Sequence, residues 1–163
     1  MKKLILLILT TIICISCGND DTITSDERTL PPITQNGANT FGCYIDQLLF
    51  LPRDGDGTIN NNDSAAIVWG DPSGNSAYQE YDLNDFRSER TSSIYIHLQN
   101  IHQNGSGTYV IDESNGLTSI DGLNNTYMHC RVWRDDVGNY QNYLSFENSG
   151  NIIITNYNLS GRL

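Results

Sequence analysis

Three acidic side chains, Asp54, Asp56 and Asp63, fall within the run RDGDGTINNNDS, Arg53 to Ser64, at a spacing that suits a hard cation. Set against the twelve-position calcium loop, Asp54, Asp56, Gly57, Ile59 and Asp63 take positions 3, 5, 6, 8 and 12. Position 1 is Pro52, which has no side-chain oxygen, and position 12 is a short Asp in place of a bidentate Glu. The flanks LLFLP and AAIVW read as strands, whereas a calcium hand needs helices. The three aspartates are therefore a weak calcium set, and the run is expected to be a long hairpin loop. Other chemistry is sparser. His97 and His102 stand five apart in a strand-like stretch, which points them to opposite faces of an extended chain. His129 has no partner in its vicinity, so all three read as strand-face or surface histidines. No serine sits in a Gly-x-Ser-x-Gly elbow. Asp135-Asp136 reads as a turn pair rather than a catalytic dyad. The expectation is no catalytic residue, no enzyme and no cofactor.

Two other residue types carry chemistry, cysteine and the aromatics. The chain begins MKKLILLILTTIICISC. Lys2 and Lys3 precede an apolar run, Leu4 to Ile15, that is too short to span a bilayer. A basic start, a short apolar stretch and small Ser16 make a secretory signal over 1–16. Cys17 follows at once, the arrangement of a bacterial lipobox, so its thiol is expected to carry the lipid anchor. Cys14 is a poorer acceptor because bulky Ile13 precedes it. Cys43 and Cys130 remain, a pair in an exported protein, and are expected to form a disulfide. Closing so long a loop is worth roughly 4–5 kcal/mol in the chain-entropy model. Nine tyrosines and two tryptophans could line a sugar-binding face, with Tyr127 and Trp133 on one side of their strand. Strands also favour aromatics for packing alone.

The elements that must position these groups are short strands. Residues 17–38 hold few apolar side chains, acidic clusters and Pro31-Pro32, the composition of a flexible tether. From 39 to 163 the apolar pattern has period two. Phe41, Cys43 and Ile45 share a face, as do Ile94, Ile96 and Leu98, and Met128, Cys130 and Val132. Leu144 and Phe146 alternate, and NIIIT, Asn151 to Thr155, is apolar on both faces, as a central strand would be. Turn formers such as NGSGT, DDVGN and ENSG separate these runs. NDFRSER, Asn84 to Arg90, could form one helical turn. The expected fold is all-β, an antiparallel β-sandwich or partly open barrel of about eight short strands.

The segment LPPITQNGANTFGCYIDQLLFLP, Leu30 to Pro52, resembles a family of small lipoproteins of Bacteroidota with no assigned function. The likeness rests on Leu30 to Pro32, Thr34 to Gln35 and Gly37 to Cys43, with looser agreement in GTYVI and SGNIIITNYNLSG. The resemblance implies a lipid anchor and an all-β domain, and lends no catalytic residue. Two features depart from it. The first turn carries Asp46-Gln47 in place of Asn-Gly or Asp-Gly, so it should be wider or strained. Similar proteins continue past the final Ser-Gly with another strand, which here is lost or diverged. Asp20 and Asp21, behind Cys17, resemble the signal that sends such lipoproteins to the outer face of the outer membrane. The triplets DTI and DSA resemble O-glycosylation sites of exported Bacteroidota proteins, which marks Thr22 and Ser64 as acceptors.

Charge narrows the partners. Nineteen acidic residues face nine basic ones, for a formal charge of −10, and every basic residue after Lys3 is an arginine. Such a surface disfavours nucleic acid and repels anionic lipid. The expectation is a lipid-anchored protein of the cell envelope, in the outer membrane and facing either the cell surface or the periplasm. Its ectodomain would be structural or binding, with an envelope protein or a glycan as ligand. The alternative is a dedicated carbohydrate- or small-ligand-binding lipoprotein that uses an aromatic strand face.

Overall fold

The structure, a computed structural model, describes residues 28–33, 40–60, 63–70 and 77–157. Strands β1, Cys43–Ile45, and β2, Leu48–Phe50, pair as a ribbon. The central sheet is built from β3 (Ala66–Trp69), β4 (Tyr78–Asp85), β5 (Ser92–Gln99), β7 (Tyr127–Arg134) and β8 (Asn139–Leu144), in the order β3-β4-β5-β7-β8. A second ribbon pairs β6, Gly107–Ile111, with β9, Gly150–Ile154. Every strand pair is antiparallel.

Period-two alternation decides which face is covered. One face of the sheet presents Leu83, Ile94, Ile96, Met128 and Cys130, and against it lie Phe41, Cys43, Ile45 and Phe50 from the first ribbon. Further along the same face, Leu98 and Ile96 pack with Ile101, Tyr109, Ile152 and Ile154 of the second ribbon and its approach. The two ribbons thus form a second layer over one sheet face. The outer strands β3 and β8 do not pair with each other, so the domain is an open sandwich and not a closed barrel.

The alternation in β1, β5 and β7 is as expected, and among the described residues nine strands stand where about eight were anticipated. Other expectations change. Among the described residues NIIIT pairs on one side only, with β6, and Ile153 is 68% exposed. Its second apolar face is open rather than central. Leu144, at the end of the outer strand β8, and Phe146 beyond it are likewise exposed. Asn84 to Arg90 forms the end of β4 and a bend; the helical turn lies at Ile101–Asn104 instead. The run Arg53 to Ser64 is not a hairpin loop. It crosses from the first ribbon to the edge strand β3 in a different sheet.

That crossing is fastened at its start. Arg53 Nε and Nη2 donate to the two carboxylate oxygens of nearly buried Asp85 at 2.7 and 2.8 Å. A planar fork on a carboxylate of this kind fixes orientation as well as distance. The turn between β1 and β2 is tight, with Asp46 and Gln47 at φ 48° and 70°. Both central residues at positive φ define the type I′ geometry, which favours Gly or Asn. The Asp46 carboxylate is held by Arg134 and accepts from the Tyr143 hydroxyl at 3.2 Å, contacts that offset the strain.

The expected disulfide is not formed. Cys43 and Cys130 are free, half-buried thiols that both pack in the cluster around Phe50, Leu83 and Ile94. They sit in different layers and act as small apolar side chains. Burial pushes both thiols up, and the neighbouring Cys43 adds to the rise at Cys130.

Candidate functional site

The opposite face of the sheet is not apolar. The register puts Trp69 beside Glu80, Glu80 beside His97, and His97 beside Tyr127 in one row. The next row runs Ile67, Asp82, Tyr95, His129 and Leu144. Rings pack along both rows: His97 stacks on Tyr127 at 4.6 Å with Tyr78 tilted against it at 4.6 Å, and Tyr95 stacks on His129 at 4.9 Å. Offset ring stacking of this kind adds to the burial each ring contributes.

Glu80 and His97 are the deepest polar groups here, both almost fully buried. His97 Nδ1–H donates to Glu80 Oε1 at 2.9 Å, and His97 Nε2 lies 3.0 Å from the Gln99 side chain. A buried carboxylate is tolerated only when its lone pairs are filled. The segment between β6 and β7 completes that filling. Ser119 donates from its backbone N–H to Glu80 Oε1 at 2.9 Å and from its hydroxyl to Oε2 at 3.2 Å. Ser119 stands at φ 56°, a left-handed position that an ordinary side chain resists. The Tyr127 hydroxyl donates to Leu117 O at 3.0 Å, and Gly122 passes so close that a Cβ there would lie 2.0 Å from that hydroxyl. The segment is thus latched on Glu80 and on Tyr127.

Between this segment and the sheet lies a cleft of about 350 Å3. Trp69, Glu80, Asp82, Tyr95, Ser119 and His129 are among its lining. Trp69, on the edge strand, is 57% exposed and forms an open aromatic wall. Burial pushes the Tyr95 hydroxyl strongly up, helped by its hydrogen bond with Glu80, and Tyr127 is pushed up to about 12 by burial first and Glu80 second. Burial also lowers His129, against a smaller opposite pull from Asp82.

The Ser119 hydroxyl bonds the acid, not the imidazole, and His97 is covered by tyrosine rings on both sides. Ser114 Oγ lies 3.3 Å from His129 Nδ1, yet Ser114 is buried and its oxygen also accepts the Gly116 N–H. Neither serine is presented as a nucleophile with a base on it.

Most site residues anticipated from sequence lie elsewhere. Asp54 Oδ1 accepts the Ala65 N–H at 2.7 Å and Asp56 Oδ1 the Thr58 N–H at 3.0 Å, so both carboxylates serve turns. The backbone carbonyl of Asp63 accepts from Gly55 at 2.9 Å. Among the described residues no three His, Cys, Asp or Glu side chains are grouped to hold a metal. Ser64 is exposed, while Cys17 and Thr22 lie outside the described residues. Tyr127 and Trp133 do share a face, but Tyr127 is buried under the latched segment and Trp133 carries the Arg90 guanidinium at 3.5 Å. His97 stands on a strand face, one of the two expected positions, and is buried there. His102 leaves the strand altogether, bonding Tyr157 and Gly70 O. The cleft residues Trp69, Glu80 and Asp82 were not anticipated. Their period-two alternation was available, but not the strand order that sets them side by side.

What these features define is an open antiparallel sandwich with a polar, aromatic cleft on its uncovered sheet face. Compared with known proteins, the chain matches no family model, no curated protein and no solved structure. Among the described residues no helix is long and apolar enough to cross a membrane.

Proposed function

We propose that this is a non-catalytic, lipid-anchored protein of the cell envelope whose β domain binds carbohydrate in the cleft beside Trp69. The lipid would sit on Cys17, with the chain held in the outer membrane and 17–38 as its tether. The observation that supports binding is the cleft itself. It is of small-ligand size and combines an exposed indole wall with hydroxyl, carboxylate and imidazole groups. Sugars are recognised in this way, with an apolar ring face on an aromatic and hydroxyls on polar side chains. The acidic balance of the chain supports the exclusion of nucleic acid.

Two measurements test the two halves. Cys17→Ala should abolish lipid labelling and release the protein from membranes; continued labelling of that variant overturns the anchor. With Trp133→Phe, Trp69 is the sole indole. Its fluorescence should then shift on titration with short oligosaccharides, and an unchanged spectrum across a panel of neutral, amino and acidic trimers overturns the binding.

A further inference from the structure

Charge in the cleft narrows the ligand further, on the premise that the cleft binds sugar as proposed above. Two carboxylates line it, Glu80 and Asp82, and among the described residues its lining contains neither arginine nor lysine. Glu80 is occupied, bonded by His97 from below and by Ser119 from above. Asp82 is not occupied in this sense. Among the described residues its one hydrogen bond comes from the neutral Asn84 amide, at 2.9 Å. Burial disfavours charge on the lining imidazole of His129, against a smaller opposite pull from Asp82. Arg131, opposite the lining Ser93 on the same sheet face, is engaged elsewhere, over the Tyr140 ring at 3.7 Å, so among the described lining residues no cation answers Asp82. Beside it stand the rings of Trp69 and Tyr95, whose negative faces attract an ammonium. The field of the whole chain, with nineteen acids and nine bases, has the same sign. A bound divalent metal fits less well, since Glu80 is already saturated and no third ligand is grouped with the pair. An acidic sugar would meet Asp82 and be repelled.

We infer that the cleft selects an amino sugar with a free amine, whose ammonium pairs with Asp82 while its ring lies against Trp69. A neutral or N-acetylated sugar of the same shape would keep the ring contact and lose the charge contact.

Calorimetry on the full-length protein in detergent at neutral pH tests this with three probes: the glucosamine trimer, its N-acetylated counterpart and the glucose trimer. The glucosamine trimer should bind about tenfold more tightly than the other two. Added salt should narrow that gap, because a partly exposed ion pair is screened. Asp82→Asn should remove the preference while leaving the circular dichroism melt in place. Trp69→Ala should weaken all three trimers alike and keep the preference. Equal binding of the three trimers, or a preference that survives Asp82→Asn, overturns the inference and leaves carbohydrate binding standing. No binding of any trimer overturns both.

Discussion

His97 Nδ1 lies 2.9 Å from Glu80 Oε1, and the two side chains are 2% and 1% exposed. They come from adjacent strands and face each other directly in the register. Of the pair, Glu80 lines the cleft, and Ser119 closes over it.

Removing the Glu80 carboxylate leaves the buried His97 donor unanswered, and each buried group so stranded costs about 1–3 kcal/mol. Glu80→Ala also strips Ser119 of both acceptors. We expect the variant to lose about 3 kcal/mol or more in urea denaturation. Amide exchange in the segment around Ser119 should speed up before that of β5 does. A loss under 1 kcal/mol would show that the pair and its latch do not hold this face together.

The fold was largely legible because alternation survives in a single sequence. Phe41, Cys43, Ile45, Ile94, Leu98, Met128 and Cys130 all face the core as their spacing requires. What alternation cannot carry is strand order. NIIIT has two apolar faces whether it lies at the centre of a sheet or, as here, in a two-stranded ribbon with one face open. The same limit hid the cleft. Trp69, Glu80 and Asp82 belong to neighbouring strands only because β3 folds back on β4, and nothing local in either segment states that pairing. His97 reads as a surface or strand-face histidine because its alternation partners, Tyr95 and Gln99, are polar; its burial was not legible because Ser119, which closes over the Glu80–His97 pair, comes from a distant segment.

His129 sets an acid limit on stability. Burial holds it below its ordinary value of 6.5, while in the unfolded chain it protonates near that value. Between the two values the unfolded chain binds more protons, so stability is lost as pH falls through 6.5 and levels off below the folded value. The melting temperature should therefore drop more steeply between about pH 7 and pH 5.5 in the native protein than in His129→Gln. Parallel slopes would show that His129 takes its proton equally well in both states.

Cys43 and Cys130 should behave as shielded thiols. Both are raised by burial, so each yields thiolate only above the usual range, near 8.5 for a free cysteine. Alkylation of native protein should be slow at neutral pH, should rise at higher pH, and should become rapid for both in urea. A peptide in which Cys43 is joined to Cys130, found in protein prepared without reductant, would contradict the free-thiol state.

The central claim, that carbohydrate binds beside Trp69 on the uncovered sheet face, is tested most directly by nuclear magnetic resonance of isotope-labelled protein titrated with a glucosamine trimer. The account predicts shifts concentrated at the Trp69 indole N–H and at the amides of Asp82, Tyr95, Ser119 and His129. Shifts gathered instead on the open side of β6 and β9, around Val110 and Ile153, or no shifts at all, would contradict it.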